Sequence, residues 1–504
     1  MRTVITFSLV VVVYSLAFTQ SKRDYIWMEG KNFTDSLPGM EGTYFDWRSG
    51  EFDYYYLPLT NEIGASNASI CDEQSGKLLF YSNGCRILNS NHEVMENGEE
   101  INSGFYYHDY CFDDATNAPN DTYPSRNNDL ILPDPNDPNG YYHFTKRRVL
   151  DTLSFVDGVF MSYVDMSYNA GLGKVVEKGV HLLDSIPFLS SYSKACLHDN
   201  GKDWWIVLLE RYSNNFHKLL VNEDGITYFG HQDFGREIVG SSAGNMSFSP
   251  TGDLMAVYSV EDDLILLDFD NSTGEFSNYQ LLDFPEDELL GLFSGLEFSP
   301  SGEYLYIASW KKLLQVDLNN LDFETGVELV GEWTPPTDGD VGLDYFSHAL
   351  LGPDCKIYVT PGNGVNYAHV IHEPNARGLD CDFEFRAIKY PYSKNISSLP
   401  NYPKFRTADE LCNLTPSSNS EVENTLNKFS LYPNPVEEIL FIEYDGLCPD
   451  IECIITNSLG IEVDLQVGSF DNSQIDVSAL PVGFYNCSIR CQSEDIITKR
   501  FVKL

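Results

Sequence analysis

The stretch NMSFSPTGDLMAVYS at 245–259 is answered fifty residues later by GLEFSPSGEYLYIAS at 295–309. In SPTG and SPSG the proline sets the first corner of a type I turn, and Gly252 or Gly302 relaxes its exit, so each is a hairpin corner. After the corner, Leu254, Ala256 and Tyr258 alternate with Met255 and Val257, and Tyr304, Tyr306 and Ala308 alternate with Leu305 and Ile307. Both faces of each strand are apolar, which places the strand between two packed sheets. Weaker copies stand at CDEQSGKLLFYSNG (71–84), DPNDPNGYYHF (134–144), HDNGKDWWIVLLE (198–210) and GPDCKIYVTPGNG (352–364), where Cys355 holds the glycine place.

The corner positions are therefore 76, 140, 201, 252, 302 and 355, at intervals of 64, 61, 51, 50 and 53. Short strands and turns recurring at such a period predict an all-β chain built as a β-propeller, whose blades number about four to eight. Residues 24–412 have room for about seven blades, of which six are marked. The seventh is expected to be shared between the two ends, using GTYFDWRSGEFDYYYLP and CDFEFRAIKYPY. An open solenoid is the competing architecture; it needs capping repeats, and no cap-like unit stands out.

Outside this region the chain changes character. Residues 1–20 place Arg2 before an apolar run from Val4 to Leu16 and small residues near Ala17, the pattern of a cleavable secretion signal. No further segment is apolar enough to span a bilayer, so the mature chain is expected to have no transmembrane segment. Residues 413–428 are polar and poor in aromatics and read as a linker. Residues 429–504 hold the short strand-like runs ILFIEY, ECIITNS, QIDVSA, GFYNCSI and ITKRFVKL, which predict a small β-sandwich.

A net charge of −43, with acidic residues spread over both halves, argues against a nucleic-acid partner. It favours a soluble acidic exterior and leaves calcium as the one ion worth considering, with no other cofactor expected. The 11 cysteines show no paired C-x-x-C framework, so structural zinc is not expected; some are expected to be bridged in an exported chain, and the odd number leaves at least one thiol unpaired.

The last 76 residues resemble the type A C-terminal sorting domain of the type IX secretion system. The resemblance rests on LYPNP (Tyr432, Pro433, Asn434 and Pro435), the turn NSLG ending at Gly460, IDVSALPVGFY with Gly483, and the closing KRFVKL with Lys499 and Lys503. It implies an exported protein of a Gram-negative bacterium, secreted or held at the outer cell surface, whose C-terminal module engages the type IX machinery and is usually removed. Four cysteines in this stretch (Cys448, Cys453, Cys487 and Cys491) exceed the family's habit and suggest local bridges. Residues 40–412 are similar to secreted propellers related to WD40-like and lactonase-like ones, through SGKLLFYSNGCRILNSNHEVMENG, GLEFSPSGEYLY, LGPDCKIYV and HVIHEPNARGLDC. That resemblance names no activity. Cys355 and the acidic insertion CFDDATNAPNDTYPSRNND (111–129) depart from the pattern.

No motif settles a reaction. His369 and His372 of HVIHEP fall on opposite faces of a strand and turn, which favours a structural role over a metal site. Pro138 breaks the ligand order a calcium loop would need in DPNDPNG, leaving a tight hairpin as the better reading. Carboxylate pairs at 261–263, 285–288 and 112–114 are expected by chance among 75 acidic residues. Trp204, Trp205, Tyr54–Tyr56, Tyr106 and Tyr107 suit either packing between blades or a platform for sugar stacking. No G-x-S-x-G elbow, H-E-x-x-H helix or phosphate loop is present.

If the propeller has a site, it lies where the innermost strands begin, at the mouth of the central channel. Counting back from each hairpin corner gives Glu62, Asn128, Lys194, Ser242, Ser294 and His348 as the lining ring. Cys381 and Cys412, flanking the last propeller segment, are expected to clasp it. The leading functional expectation is a non-catalytic binding or adhesion module for a surface glycan or protein. The alternatives are an extracellular hydrolase, lyase or lactonase working at the channel, and a structural surface-layer component.

Overall fold

In the computed structural model the described residues are 21–32, 42–57, 63–111, 122–149, 156–239, 244–285, 294–335, 345–362, 365, 367–389, 393–394, 399–406, 412, 429–432, 436–444, 451–457, 463, 474–491 and 497–503. The chain divides into two compact units, Met1–Ser418 and Asn419–Leu504.

The described strands of the first unit form seven antiparallel blades, each stepping outward from an axis. Blades 5, 6 and 7 are four-stranded: Asn245–Phe248, Leu254–Ser259, Asp263–Asp270 and Glu275–Leu282; Ser294–Phe298, Tyr304–Ser309, Lys312–Asp317 and Val327–Glu332; Phe346–Leu351, Ile357–Pro361, Tyr367–Ile371 and Phe383–Lys389. Blade 2 has three strands, Ala68–Cys71, Leu78–Ser82 and Ile87–Asn89. Blades 3 and 4 are fused into one seven-stranded sheet, because the 24-residue strand Lys174–Leu197 closes the outside of blade 3 and continues as the innermost strand of blade 4. Its first part pairs with Val156–Asp165 and its last part with Trp204–Glu210.

The alternation seen in the sequence sorts side chains between neighbours. Met255 and Val257 pack toward blade 4 with Trp205, Leu209 and Phe216, whereas Ala256 and Tyr258 pack toward blade 6 with Leu296, Leu305 and Ile307. Tyr306 and Ala308, on the other face of blade 6, meet Ala349, Ile357 and Val359 of blade 7. A strand with two apolar faces is thus the mortar of a ring of sheets. The corners behave as their sequence demands: Gly252 and Gly302 have φ of 71° and 73°, and each amide donates to the carbonyl of the serine that opens the turn, at 2.9 Å.

Blade 1 holds Ile26–Glu29, Gly42–Asp46 and Asp53–Leu57. It meets blade 7 through Tyr358, whose ring lies 5.5 Å from Trp27, 5.9 Å from Phe45 and 5.4 Å from Trp47. A two-residue pairing of Lys31 with Lys394 and Asn32 with Ser393 ties the same two ends. CDFEFRAIKYPY does not join the N-terminal blade, as the sequence reading expected: its strand Phe383–Lys389 is the outermost strand of blade 7. The C-terminal segment that returns to blade 1 is Leu399–Arg406.

The second unit is a sandwich of two three-stranded sheets, Phe429–Tyr432, Ile439–Tyr444 and Gln474–Asp476 against Ile451–Asn457, Gly483–Cys491 and Ile497–Lys503. Val436, Leu440, Ile442, Ile455, Ile475, Tyr485 and Phe501 fill the space between them.

Candidate functional site

The axis of the propeller is occupied by the protein's own chain. Leu399–Arg406 runs between the innermost strands and touches five blades. The Asn401 amide donates to Asn67 O of blade 2 at 3.0 Å, and its side-chain amide donates to Asp129 O of blade 3 at 3.1 Å. Lys194 Nζ of blade 4 donates to Asn401 Oδ1 at 2.7 Å, and the Lys404 amide donates to Ala195 O at 3.3 Å. Lys404 Nζ pairs with Glu297 of blade 6 at 2.5 Å. Tyr402 OH donates to Ile26 O of blade 1 at 2.8 Å, and Arg406 pairs with Asp24 and donates to Ser21 O. Only a segment on the axis reaches so many blades. It lies parallel to the end of the long strand of blade 4 and descends past Ile26 to Asp24 and Ser21, in the direction of an innermost strand.

Two prolines, Pro400 and Pro403, hold this segment extended, since proline fixes φ and pushes the preceding residue out of helical space. Phe405 packs edge-on against Trp204 at 5.8 Å. A cavity of about 30 Å³ remains beside it, lined by Asp24, Pro250, Leu350, Leu351, Tyr402 and Lys404 among others; that is room for about one water.

The exit is pinned covalently. Cys355, in the glycine place of the blade 7 corner with φ of 63°, is bonded to Cys412. The clasp expected between Cys381 and Cys412 is therefore corrected: Cys381 is a buried free thiol in the core between blades 6 and 7, and Cys412 reaches the corner instead. A second bridge, Cys85–Cys111, ties the helix Phe105–Tyr110 to the turn of blade 2.

Around the segment sits a buried polar set. His143 Nε2 lies 2.8 Å from Asp129 Oδ1, both side chains fully buried, and Ser82 Oγ donates to the same oxygen at 2.9 Å. Lys146 donates to Ser190 O at 2.5 Å and to Ser193 Oγ at 2.8 Å. Burial pushes the Lys146 ammonium down to about 7, with Asp129 acting the other way, and Lys194 down to about 8, with Glu297 opposing. Asp24 is raised by its burial, against the pull of Arg406.

Of the ring expected to line an open mouth, Glu62 and Ser242 lie outside the described residues. Asn128, Ser294 and His348 are buried at the heads of blades 3, 6 and 7, and Lys194 is half-buried with its ammonium committed to Asn401. Asn128 keeps both atoms of its amide without a hydrogen bond, in a place 2% exposed. Ser294 and His348 flank a close approach of blades 6 and 7, since a Cβ on Gly295 would stand 2.4 Å from the Ala349 amide.

The other candidates separate from the axis. His369 is buried and stacks on Phe385 at 4.7 Å, while His372 pairs with Glu384 at 2.9 Å near the surface. Asp134 of DPNDPNG accepts from the Asn136 amide at 2.8 Å and from Tyr163 OH at 2.6 Å, as a hairpin residue. Trp204 and Trp205 are packing residues, both buried. Asp262 caps a turn through Ser259 and Asp263 pairs with Arg236; the acidic stretches at 112–114 and 286–288 lie outside the described residues. Among the described residues no three His, Cys, Asp or Glu side chains are grouped to hold a metal, and no helix is long and apolar enough to cross a membrane.

Partly exposed aromatics gather elsewhere on the rim. Phe105, half exposed, meets Tyr106 at 5.4 Å, Tyr106 stacks with Tyr110 at 6.0 Å, and Arg148 lies over Tyr106 at 4.7 Å. Arg148 also donates to Pro124 O, in the segment leading to Asn128. The sequence reading named Tyr106 and Tyr107; Tyr107 turns inward and is buried.

Comparison with known proteins places a secretion system C-terminal sorting domain at 430–503. The second unit is that domain, and it marks the chain for export by type IX secretion to the cell surface or the extracellular space. Of its motif residues, Tyr432, Gly483, Lys499 and Lys503 stand in described strands, whereas Pro433, Asn434, Pro435 and Gly460 lie outside the described residues. No curated protein matches the chain. Among solved structures, the periplasmic gluconolactonase of Pseudomonas aeruginosa is 13% identical, with 94% of this chain and 98% of that one covered and a TM-score of 0.35. A putative 6-phosphogluconolactonase from Bacteroides uniformis is 11% identical over 75% of this chain and 99% of that one, with a TM-score of 0.36.

Proposed function

We propose that this exported propeller acts by binding, not by catalysis, and that it presents its rim to a glycan or protein at or near the cell surface. The observation that carries this reading is the filled axis. The place where convergent side chains from separate blades would meet a substrate is taken by Leu399–Arg406, held by Lys194, Glu297, Asp24 and Asn67. Contact with a partner then falls to the rim, where Phe105 is exposed next to the partly buried Tyr106 and Tyr110. Aromatic faces take the apolar side of a sugar ring or an apolar protein anchor.

The test is a glycan array and a surface-protein pull-down with the full-length chain, with Phe105→Ala compared against the parent and Lys194→Ala, which touches only the axial segment, as the control. Retention of a defined partner that falls at least tenfold in Phe105→Ala supports the rim. Turnover of a polysaccharide or lactone by the unaltered chain overturns the non-catalytic reading.

A further inference from the structure

In the sorting domain the strands Ile451–Asn457 and Gly483–Cys491 run antiparallel, with Ile455 opposite Cys487 and Cys453 opposite Ile489. Cys453 and Cys487 therefore stand diagonally on one face of the sheet, and their sulfurs are 3.2 Å apart. That is about 1 Å beyond a disulfide bond and inside ordinary non-bonded contact of two sulfurs. Cys487 belongs to the core between the two sheets, whereas Cys453 lies at its margin and is partly exposed. We propose that Cys453 and Cys487 are a modification site, a dithiol that closes to a disulfide within the sorting domain before that domain meets the outer-membrane machinery.

The arrangement divides the labour of oxidation. The contact between the two sulfurs lowers the Cys453 thiol from its ordinary range and raises that of Cys487, whose burial adds to the rise. Cys453 is the more accessible thiol, at the margin of the core that holds Cys487. As thiolate it attacks one sulfur of a disulfide-bearing oxidant, forming a mixed disulfide and expelling the oxidant's other sulfur as thiolate. Cys487 then loses its proton and attacks Cys453 Sγ, releasing the oxidant's second thiolate. One S–S bond is made, one is broken, two protons leave the protein, and the oxidant takes up two electrons. The route of export passes through a compartment that supplies such oxidants, and the propeller already carries two bridges, Cys85–Cys111 and Cys355–Cys412. The new bridge spans 34 residues and encloses the NSLG turn and the IDVSALPVGFY segment, so it would hold the recognition elements of the sorting domain in one folded piece.

The experiment uses the full-length chain, reduced and then exposed to oxidised glutathione, with free thiols alkylated at intervals and peptides mapped without reduction. The expected result is a peptide pair joined through Cys453 and Cys487 on the same time scale as the two propeller bridges, which serve as internal controls. In Cys487→Ser the glutathione adduct accumulates on Cys453, and in Cys453→Ser position 487 remains a free thiol. Recovery of both thiols fully alkylated after the propeller bridges have closed overturns the proposal. So does a bridge from either one to Cys448 or Cys491.

Discussion

Replacing Cys412 by serine opens the covalent pin at the end of the axial segment. The bridge closes a separation of 57 residues, for which loop-closure entropy alone gives about 4 kcal/mol. Native contacts survive the substitution, because Lys404–Glu297, Arg406–Asp24 and the Asn401 bonds do not involve the sulfur. A loss of about 2–4 kcal/mol is therefore expected. A second substitution separates the bridge from the backbone that carries it. Cys355 has φ of 63°, a left-handed conformation that costs a residue with a Cβ about 1 kcal/mol and glycine almost nothing. C355G/C412S should accordingly be more stable than C355S/C412S by about 1 kcal/mol, a factor of roughly five in the unfolding equilibrium. The assay is urea unfolding of the full-length chain followed by tryptophan fluorescence. All 6 tryptophans, at 27, 47, 204, 205, 310 and 333, lie in the first unit, so the signal reports the propeller and is blind to the sorting domain. If C412S unfolds at the parent's urea concentration, the axial segment is not secured in the manner argued; if the glycine variant gains nothing over serine, the left-handed angle at 355 carries no cost.

Two further outcomes follow from the buried charges. Asp24→Asn leaves Arg406 in a buried place without its counter-charge, and the propeller should lose about 3–5 kcal/mol in the same assay, part of it recovered in D24N/R406M, where no charge is left uncompensated. Lys146, pushed down to about 7 in the folded state from its ordinary 10.5, binds fewer protons folded than unfolded between those two pH values, so its cost to stability is full below about 7 and is relieved as pH rises. From pH 7 to 9 this one group should add about 2 kcal/mol, and Lys146→Met should remove that part of the slope in unfolding curves taken across the range.

The ring of blades was legible in the sequence because its cause is local: a proline and a glycine at fixed offsets make the corner, and two-sided apolar alternation makes the strand. The fusion of blades 3 and 4 was not, since a 24-residue strand that changes partners near Phe188 shows no break in composition. The filled axis was the larger omission. NYPKFR has neither the corner nor the alternation, and its contacts reach residues as distant in sequence as Asp24, Asn67, Asp129 and Lys194, which no window along the chain brings together. One signal did point there. Cys355 stood where the grammar of the corner asks for glycine, and a residue that accepts a strained backbone angle has a second obligation, here the bond to Cys412.

The chain has 32 basic residues against 75 acidic ones, and several of the basic ones are spent inside: Lys146, Lys404 and Arg406 at the axis, and Lys218 on Gln232 and Glu275. Carboxylates stand against most of them, Glu297 on Lys404, Asp24 on Arg406 and Glu275 on Lys218, so the outer surface keeps the acidic excess of the chain, and a partner must be neutral, basic or bridged by cations. The three possibilities respond differently to salt. Raising ionic strength from 0.1 M to 1 M shortens the Debye length from about 10 Å to about 3 Å, which weakens a basic or cation-bridged partner and leaves stacking on Phe105 and Tyr106 intact. Retention of the partner found in the array should thus be level across a sodium chloride series and should fall only in Phe105→Ala; retention that collapses with salt while Phe105→Ala behaves as the parent would move the contact from the aromatic rim to the acidic surface.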